Sequence, residues 1–93
     1  MILSYADRTT EQFYITGKSA KIPPSVHKVA LRKLDYLDAA MCLNDFKVPP
    51  GNRLELLSGT LAGLYSIRIN DQWRIVFKFE NTNAYEVQIL DYH

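Results

Sequence analysis

The chain has 93 residues, of which 47% are hydrophobic and 23% are charged, and its net charge is +1. This length fits one domain, residues 1–93, and the near-neutral balance means that any affinity for nucleic acid must come from local clustering of basic residues. A single cysteine excludes an internal disulfide and a cysteine-based zinc site. With no secretory signal and no stretch near the ~20 apolar residues that cross a bilayer, the sequence predicts a cytoplasmic protein.

The first half of the chain predicts a short strand and two helices. Residues 2–5 are typical of a short strand. Asp7 is a candidate N-cap, and Gly17 a natural stop, for a short first helix. A Pro-Pro-Ser sequence at 23–25 opens a longer helix, which we expect to end at residues 44–45.

The longer helix carries one apolar face. Its apolar residues follow the 3.6-residue spacing of an amphipathic helix: Val26, Ala30, Leu34, Leu37 and Met41. The charged residues are expected largely outside that face: Lys28, Arg32, Lys33, Asp35 and Asp38. The Pro-Pro-Gly-Asn sequence at 49–52 cannot continue a helix and divides the helical half of the chain from the second half.

The second half alternates with the period of two that is typical of half-buried strands. Three strands are predicted, at residues 65–69, 73–80 and 85–89, with Tyr85, Val87 and Ile89 in phase with the core. Short turns make neighbouring strands antiparallel. The fold class is therefore α+β: a short N-terminal strand, two helices, then a twisted antiparallel sheet packed on them.

The register of the first two predicted strands places two arginines opposite each other. A three-residue turn pairs Ile67 with Ile75 on the core face, and a one-residue slip would mix the faces. Arg68 then lies opposite Arg74 on the outer face, and Lys78 continues that face. Opposed like charges are unfavourable by up to ~1 kcal/mol. Either a polyanion bridges the two guanidiniums, or the face is solvated and its long side chains splay apart.

The sequence closes on Asp91, Tyr92 and His93. Continuing the alternation puts Asp91 and His93 in phase with the core, and Tyr92 in phase with the polar face. A carboxylate, a phenol and an imidazole together are suited to proton transfer. The alternative is a frayed chain end.

Four segments together resemble the HigB toxins of the RelE/ParE superfamily: residues 50–55 (PGNRLE), 57–59 (LSG), 63–75 (GLYSIRINDQWRI) and 87–93 (VQILDYH). The resemblance covers nearly the whole chain and implies the microbial RNase (RelE-like) fold. It implies the toxin of a type II toxin–antitoxin system, which cleaves mRNA in the ribosomal A site. The implied chemistry is attack by a ribose 2′-hydroxyl on the adjacent phosphate, without a metal or any other cofactor.

The resemblance also implies partners and residue roles. The partner is a HigA-type helix-turn-helix antitoxin, and the toxin meets operator DNA only through it. Arg68 and Arg74 match family arginines that contact the scissile phosphate and the RNA backbone. His93 matches a terminal histidine that acts in proton transfer, and Asp91 and Tyr92 match neighbours that orient it or contact the RNA.

The chain departs from well-known ribosome-dependent members of the family at two positions. Glu55 stands where some carry a histidine, and Ser58 where some carry a lysine. Glu55 is a candidate general base, or else a rim residue paired with Arg53 or Lys78. Arg53, Lys78 and Ser58 are candidate RNA contacts, although a turn residue before Gly59 is the simpler explanation of Ser58.

Two other functions stay open at this point. ParE-type relatives share the fold but inhibit DNA gyrase without catalysis, and the changes at Glu55 and Ser58 leave room for a weakly catalytic ribosome binder and co-repressor. Five basic residues in the first half of the chain are either contacts to ribosomal RNA phosphates or part of a solvated helix face: Lys18, Lys21, Lys28, Arg32 and Lys33.

Overall fold

A computed structural model describes residues 1–47 and 52–91. Most of the predicted break at 49–52 lies outside the described residues, as do Tyr92 and His93. The helices are α1 (Arg8–Thr16), α2 (Pro24–Ala39) and 3-10 helices at Leu43–Lys47 and Gly59–Leu61. The strands are β1 (Glu55–Leu56), β2 (Tyr65–Arg68), β3 (Trp73–Glu80) and β4 (Asn83–Asp91).

The four strands form one antiparallel sheet in the order β1-β2-β3-β4. The N-terminal segment runs parallel to β4 and makes two isolated bridges, Ile2 with Ala84 and Tyr5 with Val87. The Leu3 amide donates to the Ala84 carbonyl at 2.8 Å. The α+β class predicted from the sequence is confirmed, and the predicted N-terminal strand is present as these two bridges.

The predicted limits of the first helix are confirmed. The Asp7 carboxylate accepts from the Thr10 amide at 2.6 Å, which satisfies one of the free donors at the helix start. Gly17 ends α1 in the left-handed region (φ 78°), and its amide donates to the Phe13 carbonyl at 2.7 Å. The Thr10 hydroxyl also accepts from the Ile89 amide at 3.1 Å, so the same turn fastens α1 to β4.

The second helix ends earlier than predicted. It ends at Ala39, because the Asp45 carboxylate accepts from the Met41 and Cys42 amides, at 2.9 and 3.2 Å, and a 3-10 helix begins instead. Those two hydrogen bonds lower the pKa of Asp45. The prediction that Met41 belongs to the core face is therefore wrong, since its side chain is 68% exposed. The buried face of α2 ends at Leu37.

A β-bulge corrects the predicted alternation in β4. Between the pairs Val76–Gln88 and Lys78–Tyr85, β4 has one residue more than β3. Glu86 takes up the extra length in a left-handed conformation (φ 52°). Tyr85 consequently pairs with Lys78 on the outer face, and its predicted place in phase with the core is wrong.

The core lies between the helices and the inner face of the sheet. Its fully buried members come from every layer: Phe13, Leu34, Leu37, Phe46, Ile67, Ile75, Phe77 and Val87. Phe46, from the 3-10 helix at Leu43–Lys47, packs against Phe77 and Phe79 with ring centroids 5.4 and 5.9 Å apart. In the described part of the chain, no helix is long and apolar enough to cross a membrane.

Truncating Phe46 should therefore destabilise the fold strongly. We expect Phe46→Ala to lower the free energy of unfolding by about 3–5 kcal/mol, because it removes a fully buried ring and leaves a cavity. Met41→Ala, at an exposed position, should stay within about 0.5 kcal/mol of the wild type. Urea unfolding followed by circular dichroism measures both, and equal losses in the two variants would contradict this description of the core.

Candidate active site around Arg68 and Arg74

The two arginines singled out by the sequence lie opposite each other in the structure. Strands β2 and β3 pair Arg68 with Arg74 and Ile67 with Ile75, which confirms the predicted register. Both isoleucines are fully buried in the core. Because side chains alternate along a strand, the two arginines share the opposite face of the sheet.

The turn between β2 and β3 fixes this register. The Asn70 side-chain carbonyl accepts from the Gln72 amide at 2.8 Å and from the Trp73 amide at 2.7 Å. The Ile69 amide donates to the Trp73 carbonyl at 2.8 Å, directly after the Arg68–Arg74 pair. Asparagine closes such turns readily, because its side-chain carbonyl can accept a hydrogen bond from the backbone amide two residues further along the chain.

Arg74 is buried and held on several sides. Its Nε donates to the Ser66 hydroxyl at 2.9 Å, and its Nη2 donates to the Arg53 carbonyl at 2.7 Å. A Glu55 carboxylate oxygen lies 3.9 Å from the same Nη2. Arg74 is 8% exposed, so the guanidinium is fixed in one orientation while the Glu55 side chain remains 53% exposed. The prediction of a solvated face with splayed side chains does not describe Arg74.

Arg68 is held more loosely. Its Nη2 forms an ion pair with Asp71, three residues along the chain, and the Asp71 side chain is 98% exposed. An ion pair with such an exposed partner adds little stability, since water competes for both charges. Another anion can therefore replace Asp71 on Arg68 at small cost.

Lys33 reaches this site from α2, although the sequence predicted it outside the buried face. Lys33 is only 9% exposed. Its ammonium donates to the Asn52 side-chain carbonyl at 2.8 Å and to the Arg68 backbone carbonyl at 2.5 Å. Burial lowers the pKa of Lys33, and the positive charges of Arg32, Arg68 and Arg74 lower it further.

Three cations and two carboxylates therefore meet at this place. Lys33, Arg68 and Arg74 supply the positive charges, and Asp71 and Glu55 supply exposed negative ones. Lys33 and Arg74 donate to carbonyl and hydroxyl oxygens, and Arg74 also has the Glu55 carboxylate 3.9 Å from its Nη2. The arrangement is suited to an anion such as a phosphodiester, which guanidiniums bind with paired donors.

Three residues of the site were not identified from the sequence: Ser66, Asn52 and Lys33. Ser66 lies on the outer face of β2, and nothing in the sequence marked its hydroxyl as an acceptor for a guanidinium. Asn52 lies next to the Pro-Pro-Gly sequence and resembles an ordinary turn residue. A signal for Lys33 did exist, because it follows Ala30 by three positions and precedes Leu37 by four, the spacing of the buried face.

Asp91 is the last residue of β4 and lies opposite Trp73, the residue before Arg74. It pairs with Trp73 on the core-facing phase, as predicted, and its carboxylate accepts from the Gln72 side-chain amide at 3.1 Å. Tyr92 and His93 fall outside the described residues, so their predicted roles stay predictions.

The remaining candidates divide between the site and its surroundings. Glu55 has its ion pair with Arg74, whereas the rim interpretation had assigned it to Arg53 or Lys78. Arg53 contributes its backbone carbonyl, from a left-handed conformation (φ 46°). Lys78 shares the face of Arg74 but lies four residues further along β3, roughly 13 Å away, and pairs with Glu80.

Ser58 is exposed and precedes the 3-10 helix at Gly59–Leu61 without a capping bond from its side chain. Among the described residues, no group of three or more histidine, cysteine, aspartate or glutamate side chains could hold a metal ion.

Comparison with known proteins assigns the family. The model of the RelE-like toxin of the type II toxin–antitoxin system HigB matches residues 3–93. The chain belongs to the HigB-like toxin family. Toxin HigB-1 of Vibrio cholerae is 45% identical to it over 80 residues, which cover 85% of this chain and 84% of that protein.

A more distant relative and a solved structure are also similar to this HigB-like toxin. Endoribonuclease HigB of Proteus vulgaris is 27% identical over 93 residues, the full length of both proteins. A YoeB–YefM complex from Staphylococcus aureus contains a similar fold, with a TM-score of 0.63 and 22% identity over 100% of this chain and 95% of that one. That likeness confirms the fold predicted from the sequence.

Removing the Ser66 hydroxyl should destabilise the protein. Ser66→Ala leaves the buried Arg74 Nε without this acceptor, so we expect the free energy of unfolding to fall by about 1–3 kcal/mol. Ser58→Ala, an exposed serine eight residues earlier, should change it by less than about 0.5 kcal/mol. Equilibrium urea unfolding compares the two, and an unchanged midpoint for Ser66→Ala would show that Arg74 does not depend on this bond.

Proposed function

We propose that this protein is a cytoplasmic endoribonuclease toxin that cleaves mRNA in the ribosomal A site, acting as one domain. The observation that carries the proposal is the Arg68–Arg74 pair, with the Glu55 carboxylate 3.9 Å from the Arg74 guanidinium. The name of the Proteus vulgaris relative, Endoribonuclease HigB, supports the same chemistry.

The scissile phosphate binds between the two guanidiniums, where it replaces Asp71 on Arg68. Arg74 is already fixed by Ser66 and by the Arg53 carbonyl. Charge accumulates on the non-bridging phosphate oxygens in the transition state, and donors that are oriented in advance stabilise that charge without reorganising. The proposed chemistry therefore uses no metal ion and no other cofactor.

Cleavage proceeds by attack of a ribose 2′-oxygen on the adjacent phosphorus. Glu55 takes the proton of the 2′-hydroxyl as general base, and the new bond closes a 2′,3′-cyclic phosphate. The bond to the 5′-oxygen breaks, and His93 gives that oxygen its proton. Asp91 orients His93, and Tyr92 contacts the RNA. Ser58 and Lys78 contact the RNA backbone on either side.

A second basic surface accounts for binding to the ribosome despite the small net charge. An open groove between α1 and the following loop has three cations, Arg8, Lys18 and Lys21, and no carboxylate in its lining. We name it the α1 groove. Phosphates of ribosomal RNA are its proposed ligand, since a local cluster of cations binds a phosphate backbone through release of counterions. The ribosome then also supplies in-line geometry at the scissile bond.

The proposed protein partner is a HigA-type helix-turn-helix antitoxin, which links the toxin to operator DNA. The family is one of type II toxin–antitoxin systems, and the Staphylococcus aureus structure is a complex. Inhibition of DNA gyrase and ribosome binding without effective cleavage are the competing functions. Neither of them requires a buried guanidinium aligned with an exposed carboxylate, so the site favours the nuclease.

Arg74→Ala should abolish cleavage. We expect the cleavage rate of ribosome-bound mRNA to fall by about 10²–10³-fold or more, the effect of losing one oriented donor to the transition state. Primer extension on mRNA incubated with purified ribosomes and toxin measures the cut ends. Lys47→Ala, at an exposed position in the 3-10 helix at Leu43–Lys47, is the control and should cleave like the wild type.

Other outcomes of that experiment identify the competing functions. Intact mRNA with stalled translation in the wild type would indicate a ribosome binder that does not cleave. Inhibition of DNA supercoiling by both the wild type and Arg74→Ala would indicate a gyrase inhibitor.

Charge reversal in the α1 groove should weaken ribosome binding. We expect the double substitution Lys18→Glu and Lys21→Glu to reduce the slope of log affinity against log salt by about 2, one for each lost phosphate contact. Sedimentation with ribosomes at several salt concentrations measures it. The control, Lys28→Glu with Lys47→Glu, makes the same change of net charge at exposed residues elsewhere. Equal effects of the two pairs would contradict a role for the groove.

A further inference from the structure

Lys33 occupies a place where lysine is rare. It is 9% exposed and follows the spacing of the buried face of α2, between Ala30 and Leu37. Lysine is seldom buried unless it is paired, because removing an ammonium from water is costly. In the described part of the chain no ion pair joins Lys33 to a carboxylate, and both of its described hydrogen bonds go to neutral oxygens.

The contacts of Lys33 connect the core to the arginine pair. Phe46 is fully buried, and its carbonyl accepts from the Asn52 side-chain amide at 3.3 Å. The Asn52 side-chain carbonyl accepts from the Lys33 ammonium at 2.8 Å. Lys33 in turn donates to the Arg68 carbonyl at 2.5 Å. Phe46, Asn52, Lys33 and Arg68 thus form one continuous chain of contacts.

The hydrogen bond from Lys33 to the Arg68 carbonyl lies where strand β2 ends. Arg68 is the final residue of β2, directly opposite Arg74, and the turn that carries Asp71 begins just after it. Among residues 1–47 and 52–91, the Arg68 side chain has the exposed Asp71 carboxylate as its partner. Its direction therefore depends on where the backbone leaves the strand, and Lys33 holds the carbonyl at that position.

We propose that Lys33 is a positioning residue for Arg68, whose ammonium fixes the end of β2 so that the Arg68 guanidinium meets the scissile phosphate beside Arg74. This assignment rests on the proposed nuclease function. It also gives a reason for burying a cation next to two others. The Lys33 charge lowers the stability of the fold, but it adds to the attraction for a phosphate.

Lys33→Met tests the assignment, because methionine keeps an unbranched side chain but has no ammonium. We expect the maximal rate of ribosome-dependent mRNA cleavage to fall about 10- to 100-fold, the scale of a misplaced group near the reacting atoms. The ribosome concentration at half-maximal rate should change by less than about twofold. Lys47→Met, at an exposed lysine, is the matched control and should behave as wild type.

A double-mutant cycle separates positioning from a general loss of structure. If Lys33 acts through Arg68, Lys33→Met should slow the Arg68→Ala variant by less than about twofold, because the group that it positions is already absent. A structural defect would multiply both losses. Losses that multiply in full, or a Lys33→Met variant that cleaves at the wild-type rate, would overturn the assignment.

Two further measurements keep the test decisive. Circular dichroism establishes that each variant is folded, and if Lys33→Met does not fold, Lys33→Gln replaces it in the same cycle with the same expected non-additivity. A wild-type protein that cleaves no mRNA would overturn the proposed function and this assignment with it. Wild-type cleavage with an unaffected Lys33 variant would overturn the assignment alone.

Discussion

The register between β2 and β3 is the constraint on which the rest of the molecule depends. Ile67 and Ile75 must both enter the core, and the Asn70 turn allows only one alignment that achieves this. That alignment forces Arg68 and Arg74 together. The hydrophobic core therefore determines the position of two like charges, and the surrounding structure has to accommodate them.

The hydrogen bonds described for the buried cations go mainly to neutral acceptors. Arg74 and Lys33 donate to a hydroxyl and to carbonyl groups, while the two carboxylates nearby, Glu55 and Asp71, stay exposed. Carboxylates in the buried positions would have stabilised the cations more but would have lowered the positive potential at this place. A site of this kind exchanges some folding stability for charge that is fixed before any ligand arrives.

Local rules of sequence predicted part of this arrangement well. The caps of α1, the alternation in β2 and β3 and the arginine register depend on neighbouring residues or on one short turn, and all three were confirmed. The end of α2, the bulge at Glu86 and the burial of Lys33 depend on partners elsewhere. Asp45 competes for amides that would otherwise continue the helix, and Lys33 finds its acceptors only once Asn52 and β2 are in place. Periodicity in one segment carries no information about such partners.

The bridges between the N-terminal segment and β4 have a consequence for how the protein is made. Residues 1–6 find their hydrogen-bond partners at residues 82–87, at the opposite end of the sequence. During synthesis the opening segment must wait unpaired until the closing strand has left the exit tunnel, and contacts so distant in sequence form slowly. The sheet that carries the arginines is complete only then. A nascent chain that has not yet extended past residue 87 therefore lacks the partners that hold residues 1–6 against the sheet.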